Sequence, residues 1–246
     1  YYIVGTYVLY NNIIRKEQTM SKYKLLGVGT NAKTIKGDGD EYITAILYLK
    51  PSMLLCPMSK KAHCLDGCLY SAGRGAFNSV QESRTRKTMF LMEDRIGFMQ
   101  TLQSDLDKFL KYCIKKDVQP VVRLNGTSDW NFLEIIRDNP DIQFYDYTKV
   151  YNRLDKNLPD NYHVTLSYSE ANVDYTKKVV DKAKAKGVNL AVVFRDKNKI
   201  PTEFLGRKVI DGDQDDLRFL DPDNVIVALY AKGQAKKDQS GFVIDV

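Results

Sequence analysis

From residue 42 onward, the chain alternates between two rhythms of apolar and polar positions. Tyr42 to Leu49 (YITAILYL) is an apolar, β-capable run stopped by Pro51, and it predicts the first core strand. A cysteine-bearing loop and a polar stretch follow. Then Ile96, Met99, Leu102, Leu106, Phe109, Leu110 and Cys113 recur every three or four residues, which predicts a helix with one buried stripe. The rhythm switches repeatedly after that. Gln119 to Leu124 predicts a strand, Trp130 to Arg137 a short helix, Ile142 to Tyr145 a strand and Val150 to Leu154 a helical turn. Tyr162 to Leu166 predicts a strand, Val173 to Lys186 a Lys-rich amphipathic helix stopped by Gly187, and Asn189 to Phe194 the next strand. Lys208 to Ile210 and Val225 to Tyr230 complete the series.

Short apolar strands, several separated by helices, predict an α/β fold with a parallel sheet covered on both faces: a partial or complete TIM-like (β/α) barrel with mainly parallel strands. The length of 246 residues suits one such domain over residues 20–246. Residues 1–19 read as an upstream or disordered extension, with Met20 as the expected start. Parallel α/β sheets bind ligands beyond the carboxyl ends of their strands. The residues just past those ends are polar: Cys56, Cys64 and Cys68; Arg123, Asn125 and Asp129; Asp146, Tyr147 and Lys149; then Ser169, Arg195, Asp213 and Lys232.

Composition changes this picture little. The share of hydrophobic residues, 43%, excludes a mostly disordered chain. A net charge of +6 would suit nucleic acid, but acidic residues are interleaved with the lysines, so a mixed solvated surface is the better reading. No run approaches the roughly 18 apolar residues of a membrane span. The start lacks a signal-peptide pattern, which points to the cytoplasm, where cysteines stay reduced and more often bind metal than form disulfides.

Three of the four cysteines fall in one loop, C-x7-C-x3-C, between Leu54 and Gly75. Three soft thiolates with glycines around them suit a four-iron, four-sulfur cluster that leaves one iron open for substrate or cofactor. Zinc is the alternative, with His63 completing a Cys3His set. Three unrelated buried cysteines are a weaker account, because Lys60, Lys61 and Asp66 make the loop polar. Cys113, in the helical stripe, reads as a small buried hydrophobe.

The remaining candidates each have a plain alternative. Arg74 and Asn78, beside Gly73 and Gly75, make either an anion cradle or a turn and helix start. Arg123 and Asp129 read as ligand contacts ahead of internal salt bridges; Asn125 stands with them, and Ser128 or Asp129 also suits a helix cap. The acidic run Asp211 to Asp221 lacks the calcium-loop spacing. Its carboxylates either contact ligand hydroxyls, Asp213 among them, or pair with Arg218 and Lys232. The tail Ala231 to Phe242 is an anion loop or a solvated end.

The segments LLGVGTNAKT, CLYSAGRGAF, VVRLNGTSDW, FYDYTK, VIDGDQDDLRFLDP and AKGQAKKDQSGF together resemble a group of uncharacterised bacteriophage- and plasmid-encoded proteins, over residues 20 to 243. That group is similar in turn to the gene-product-88-like proteins of phages. Their cysteine loop and later Arg/Asp motif resemble radical S-adenosylmethionine enzymes, which place a three-cysteine cluster loop after the first strand of a partial barrel. The usual spacing there is C-x3-C-x2-C, which this loop does not keep. The resemblance implies an iron-sulfur enzyme using S-adenosylmethionine on an unknown substrate, in the host cytoplasm if phage-encoded. Arg123, Asp129 and Asp213 would then touch cofactor or substrate, and Tyr147 or Lys149 would move protons. The competing expectation is a non-catalytic protein whose loop is stapled by zinc or a cluster and whose basic surface engages nucleic acid or a host protein.

Overall fold

The computed structural model describes residues 24–29, 39 and 41–246; the expected extension over 1–19 lies outside them. Among the described residues, ten strands form one sheet: β1 (Leu26–Val28), β2 (Tyr42–Leu47), β3 (Gln119–Arg123), β4 (Gln143–Thr148), β5 (Tyr162–Ser167), β6 (Leu190–Phe194), β7 (Glu203–Phe204), β8 (Arg207–Asp211), β9 (Ile226–Tyr230) and β10 (Val243–Ile244). Their spatial order is β1-β2-β3-β4-β5-β6-β9-β8-β7, with β10 beside β6. Among the described residues, only β1–β2 and β7–β8 pair antiparallel. The expected mostly parallel α/β sheet is therefore present. No pairing among the described residues joins β1 to β7, so the sheet is open where a complete barrel would close.

The helices are α1 (Ser59–Ala62), α2 (Asn78–Glu93), α3 (Arg95–Lys116), α4 (Leu133–Arg137) and α5 (Val173–Lys186). Local chemistry sets their ends. Asp94 caps α3 by accepting from the Gly97 amide at 2.8 Å, and Asn172 caps α5 by accepting from the Tyr175 amide at 2.9 Å. Gly187, at φ +67°, ends α5 in the left-handed conformation that favours glycine. Of the predicted stripe of α3, Leu102, Leu106, Phe109 and Cys113 are buried and Met99 and Leu110 are half-buried, whereas Ile96 is exposed and Phe98 takes the buried position in the first turn. Each fully buried leucine there contributes about 1.5–3 kcal/mol of transfer free energy. The polar stretch before α3 forms the 16-residue helix α2, which buries only Arg84, Phe90 and Leu91. Among the described residues, no helix is long and apolar enough to cross a membrane.

Handedness distributes the connections. From β2 to β6 the strands follow one another across the sheet, so right-handed crossovers put α3, α4 and α5 on one face. That face is the main core, with Leu47, Val122, Phe144, Val164, Val192 and Ala228 pointing into it. The step from β8 back to β9 runs the other way. Its connection, residues 212–225, therefore crosses the opposite face, where Leu217 packs on Val121 and Tyr145. Alternation with period two sends Tyr42, Arg123, Tyr145, Tyr147, His163 and Thr165 to this second face.

Candidate metal centre

The cysteine loop leaves β2 at the carboxyl end of the sheet. A turn bonds the Cys56 amide to the Ser52 carbonyl at 2.8 Å, and the Cys56 carbonyl accepts from the Ser59 amide at 2.9 Å, starting α1. His63 ends α1 with φ +48°, which turns the chain so that Cys64 and Cys68 follow on the next bends. Neighbouring strand ends hold the loop in place. Thr127, after β3, donates to the Leu49 carbonyl at 2.6 Å; the Asp129 amide donates to the Leu55 carbonyl at 3.2 Å; and Ser169, after β5, donates to the Ala62 carbonyl at 2.8 Å. The carboxyl-terminal tail closes the far side. A Cβ on Gly67 would lie 2.9 Å from the Phe242 ring, so only glycine lets loop and tail approach this closely.

The three thiols share one neighbourhood. Burial pushes the Cys56 thiol up to about 11, against a backbone hydrogen bond at Ser52 that lowers it, and the charges of Asp129, Cys64 and Cys68 raise it further. Burial also raises Cys68, where Cys64 adds to the effect and Lys149 and Arg84 oppose it. Arg84 lies over the rings of Tyr48 and Tyr70, at 4.6 and 5.4 Å from their centroids. Lys149 Nζ stands 5.1 Å from the Phe242 centroid. Soft donors, two cations and a close-fitting glycine suit an anionic metal-thiolate centre. The thiols are not preassembled: among the described residues, no three His, Cys, Asp or Glu side chains are already gathered as a metal shell. His63 is exposed.

The other candidates are dispersed. Arg74 and Asn78 are exposed, and Asn78 borders a shallow cleft of about 350 Å³ with Lys50, Tyr70 and Arg86. Asp129 is bonded internally: its carboxylate meets Arg153 at 2.9 Å, the Thr148 hydroxyl at 2.6 Å and the Lys149 amide at 2.8 Å. Asn125 is buried, donating to Asp146 and to the Trp130 carbonyl while accepting from Ser128 and the Trp130 amide. Asp213 pairs with Lys232 at 2.7 Å, and Arg218 pairs with Asp215 and Asp221, which are the pairings expected of the acidic run. Arg123 binds Asp216 at 3.0 Å on the sheet's second face, beneath residues 212–225. Tyr147 is on that face too, its ring 4.7 Å from the Arg123 guanidinium; burial keeps its phenol far above the usual range. Of the non-cysteine candidates, Lys149 and Asp129 are the ones whose charges reach the thiols.

Ser169, read from the sequence as a polar residue past a strand, frames the loop together with Arg84 and Phe242, which the sequence did not single out. Arg84 sits in a helix with no apolar period, and Phe242 ends the tail that reads equally as a solvated end. A cleft of about 610 Å³ is at the opposite end of the strands, between Tyr162, His163, Lys184, Asn189 and Asp223. Parallel sheets gather ligands at the other end, where the cysteines are, so the cysteine loop is the stronger candidate.

A protein-family model described as Gene product 88 matches residues 20–246. No curated protein and no solved structure matches the chain. The resemblance to radical enzymes therefore gains no support from these comparisons.

Proposed function

The chain belongs to the gene product 88 family, and on that premise we propose that Cys56, Cys64 and Cys68 hold one metal centre, an iron-sulfur cluster. The observation that carries this reading is that Cys56, Cys64 and Cys68 lie on successive bends of one loop, held by hydrogen bonds at the carboxyl end of a mostly parallel sheet. Three thiolates leave one position of a four-iron cluster open, where a substrate or cofactor would bind. A bound cation reverses the effect of burial on the Cys56 thiol, and metal binding draws ligands together where no shell exists beforehand. Arg84 and Lys149 offset the negative charge of the thiolates. Of the two residues expected to move protons, Lys149 is the one beside the loop, while Tyr147 lies on the sheet's second face. S-adenosylmethionine is the co-reactant that the resemblance to radical enzymes brings forward, and a partial barrel is the finer reading of the open sheet.

Iron and acid-labile sulfide in protein purified without oxygen test the proposal. Cluster-ratio iron and sulfide are expected, falling sharply in Cys56→Ala, Cys64→Ala and Cys68→Ala and unchanged in Cys113→Ala, whose thiol is buried in the α3 stripe. Zinc without sulfide would replace the cluster with a non-catalytic staple. Folded protein that takes up neither metal overturns the reading.

A further inference from the structure

The sheet's second face holds a different feature. Under the connection from β8 to β9, several buried polar atoms have no hydrogen-bond partner: Arg123 Nε, Tyr147 Oη, His163 Nε2 and Thr165 Oγ1 on the sheet, with Asp216 Oδ1 and Arg218 Nε on the connection. Native proteins leave very few such groups unpaired, and a concentration of them marks a place that water or a ligand completes. Thr165, Asp216 and Arg218 are at most 2% exposed, so these atoms are not facing bulk solvent.

The chemistry of the two sides differs. The sheet offers donors: the Arg123 guanidinium, the phenols of Tyr145 and Tyr147 and the Thr165 hydroxyl. The connection answers with one carboxylate, Asp216, whose Oδ2 accepts from Arg123 Nη1 at 3.0 Å and from the Tyr145 hydroxyl at 2.8 Å. Its other oxygen accepts nothing, and the Tyr147 hydroxyl, whose ring faces the same guanidinium, donates to nothing. A carboxylate held on a guanidinium and a phenol, with further donors unused beside it, occupies the position a free oxyanion would take.

We propose that the face of the sheet beneath residues 212–225 is a binding site for a small ligand bearing a carboxylate or phosphate group, whose place Asp216 fills in this structure. The ligand's oxyanion displaces Asp216 from Arg123 and Tyr145 and also engages the Tyr147 hydroxyl. None of these groups is part of the cysteine centre, so this site stands or falls separately from the metal reading.

Calorimetric titration of the full chain with inorganic phosphate and, separately, with acetate tests it and distinguishes the two anion classes. Asp216→Asn removes the resident competitor, so it is expected to bind at least one of the anions about tenfold more tightly than the unaltered chain. Tyr147→Phe deletes a hydroxyl that bonds nothing, so the fold survives, yet the same anion should bind at least fivefold more weakly. Because Asp216→Asn leaves Arg123 buried beside an amide at a cost to stability, Tyr147→Phe keeps the test decisive. If neither anion binds, or if Tyr147→Phe binds as well as the unaltered chain, the proposal is overturned.

Discussion

Replacing Asn125 with alanine removes a side chain whose four polar contacts are all internal and which is only 2% exposed. Two of its partners keep other donors: Asp146 Oδ2 still accepts from the Tyr162 hydroxyl at 3.1 Å, and the Trp130 carbonyl still accepts from Arg153 at 3.3 Å. The other two lose their acceptor, namely the Ser128 hydroxyl and the Trp130 amide. An orphaned buried donor costs about 1–3 kcal/mol, so Asn125→Ala should destabilise the fold by roughly 3 kcal/mol. With a urea m-value of about 3 kcal/mol/M at this size, the unfolding midpoint should fall by about 1 M. Asn125→Asp should be worse, since it sets a second carboxylate where an amide now donates to Asp146. Equilibrium urea unfolding followed by far-ultraviolet circular dichroism measures both. A midpoint for Asn125→Ala within about 0.2 M of the parent would refute the reasoning and return Asn125 to the pool of ligand-contacting residues.

Burial pushes the Asp146 carboxyl up to about 6, against Arg153 and the Asn125 hydrogen bonds that lower it. Between about pH 4 and 6 the folded state then keeps a proton that the unfolded chain has released. This contribution is full below pH 4 and is lost as pH rises through 6, by on the order of 3 kcal/mol at about 1.4 kcal/mol per pH unit. Asp146→Asn should flatten that part of the stability-against-pH curve, and an unchanged slope would contradict the shift. Gly126 has no room for a methyl group: a Cβ would sit 2.6 Å from Tyr48 Cδ1 and 2.7 Å from Ile46 Cγ2. Gly126→Ala should therefore cost about 1–3 kcal/mol by overpacking, read as a lower thermal midpoint, and a midpoint equal to the parent's would show that β2 can yield.

What could be read in advance followed from local signals. Val173–Lys186 is helical over the predicted residues because Asn172 and Gly187 mark its ends, and the apolar runs became β2, β3, β5, β6 and β9. Where tertiary contacts dominate, the pattern was silent. β4 continues through Asp146, Tyr147 and Thr148, polar residues whose burial depends on partners from distant segments. Helix α2 has no apolar stripe, since it covers the cysteine loop largely with Arg84 and its ring contacts. The place of the cysteine loop, directly after β2, was legible from the order of the pattern. Most of its surroundings were not, because Arg84 and Phe242 approach only once the fold has brought distant segments together. Likewise Arg123 and Asp129 were visible as charges beyond a strand, but their partners Asp216 and Arg153 lie 93 and 24 residues away.

The position of β9 bears on how the chain reaches this structure. It follows β8 in sequence yet lies between β6 and β8, pairing with both. Strands β2 to β6 can add one after another as they emerge, each onto the edge left by its predecessor. The β7–β8 hairpin has no such edge to join until β9 has filled the gap, so residues 203–230 should form and open as one cooperative unit. Native-state hydrogen exchange would show it as a common opening free energy for the amides of β8 and β9. Separate opening of β8 with β9 still protected would show instead that the last strands assemble stepwise.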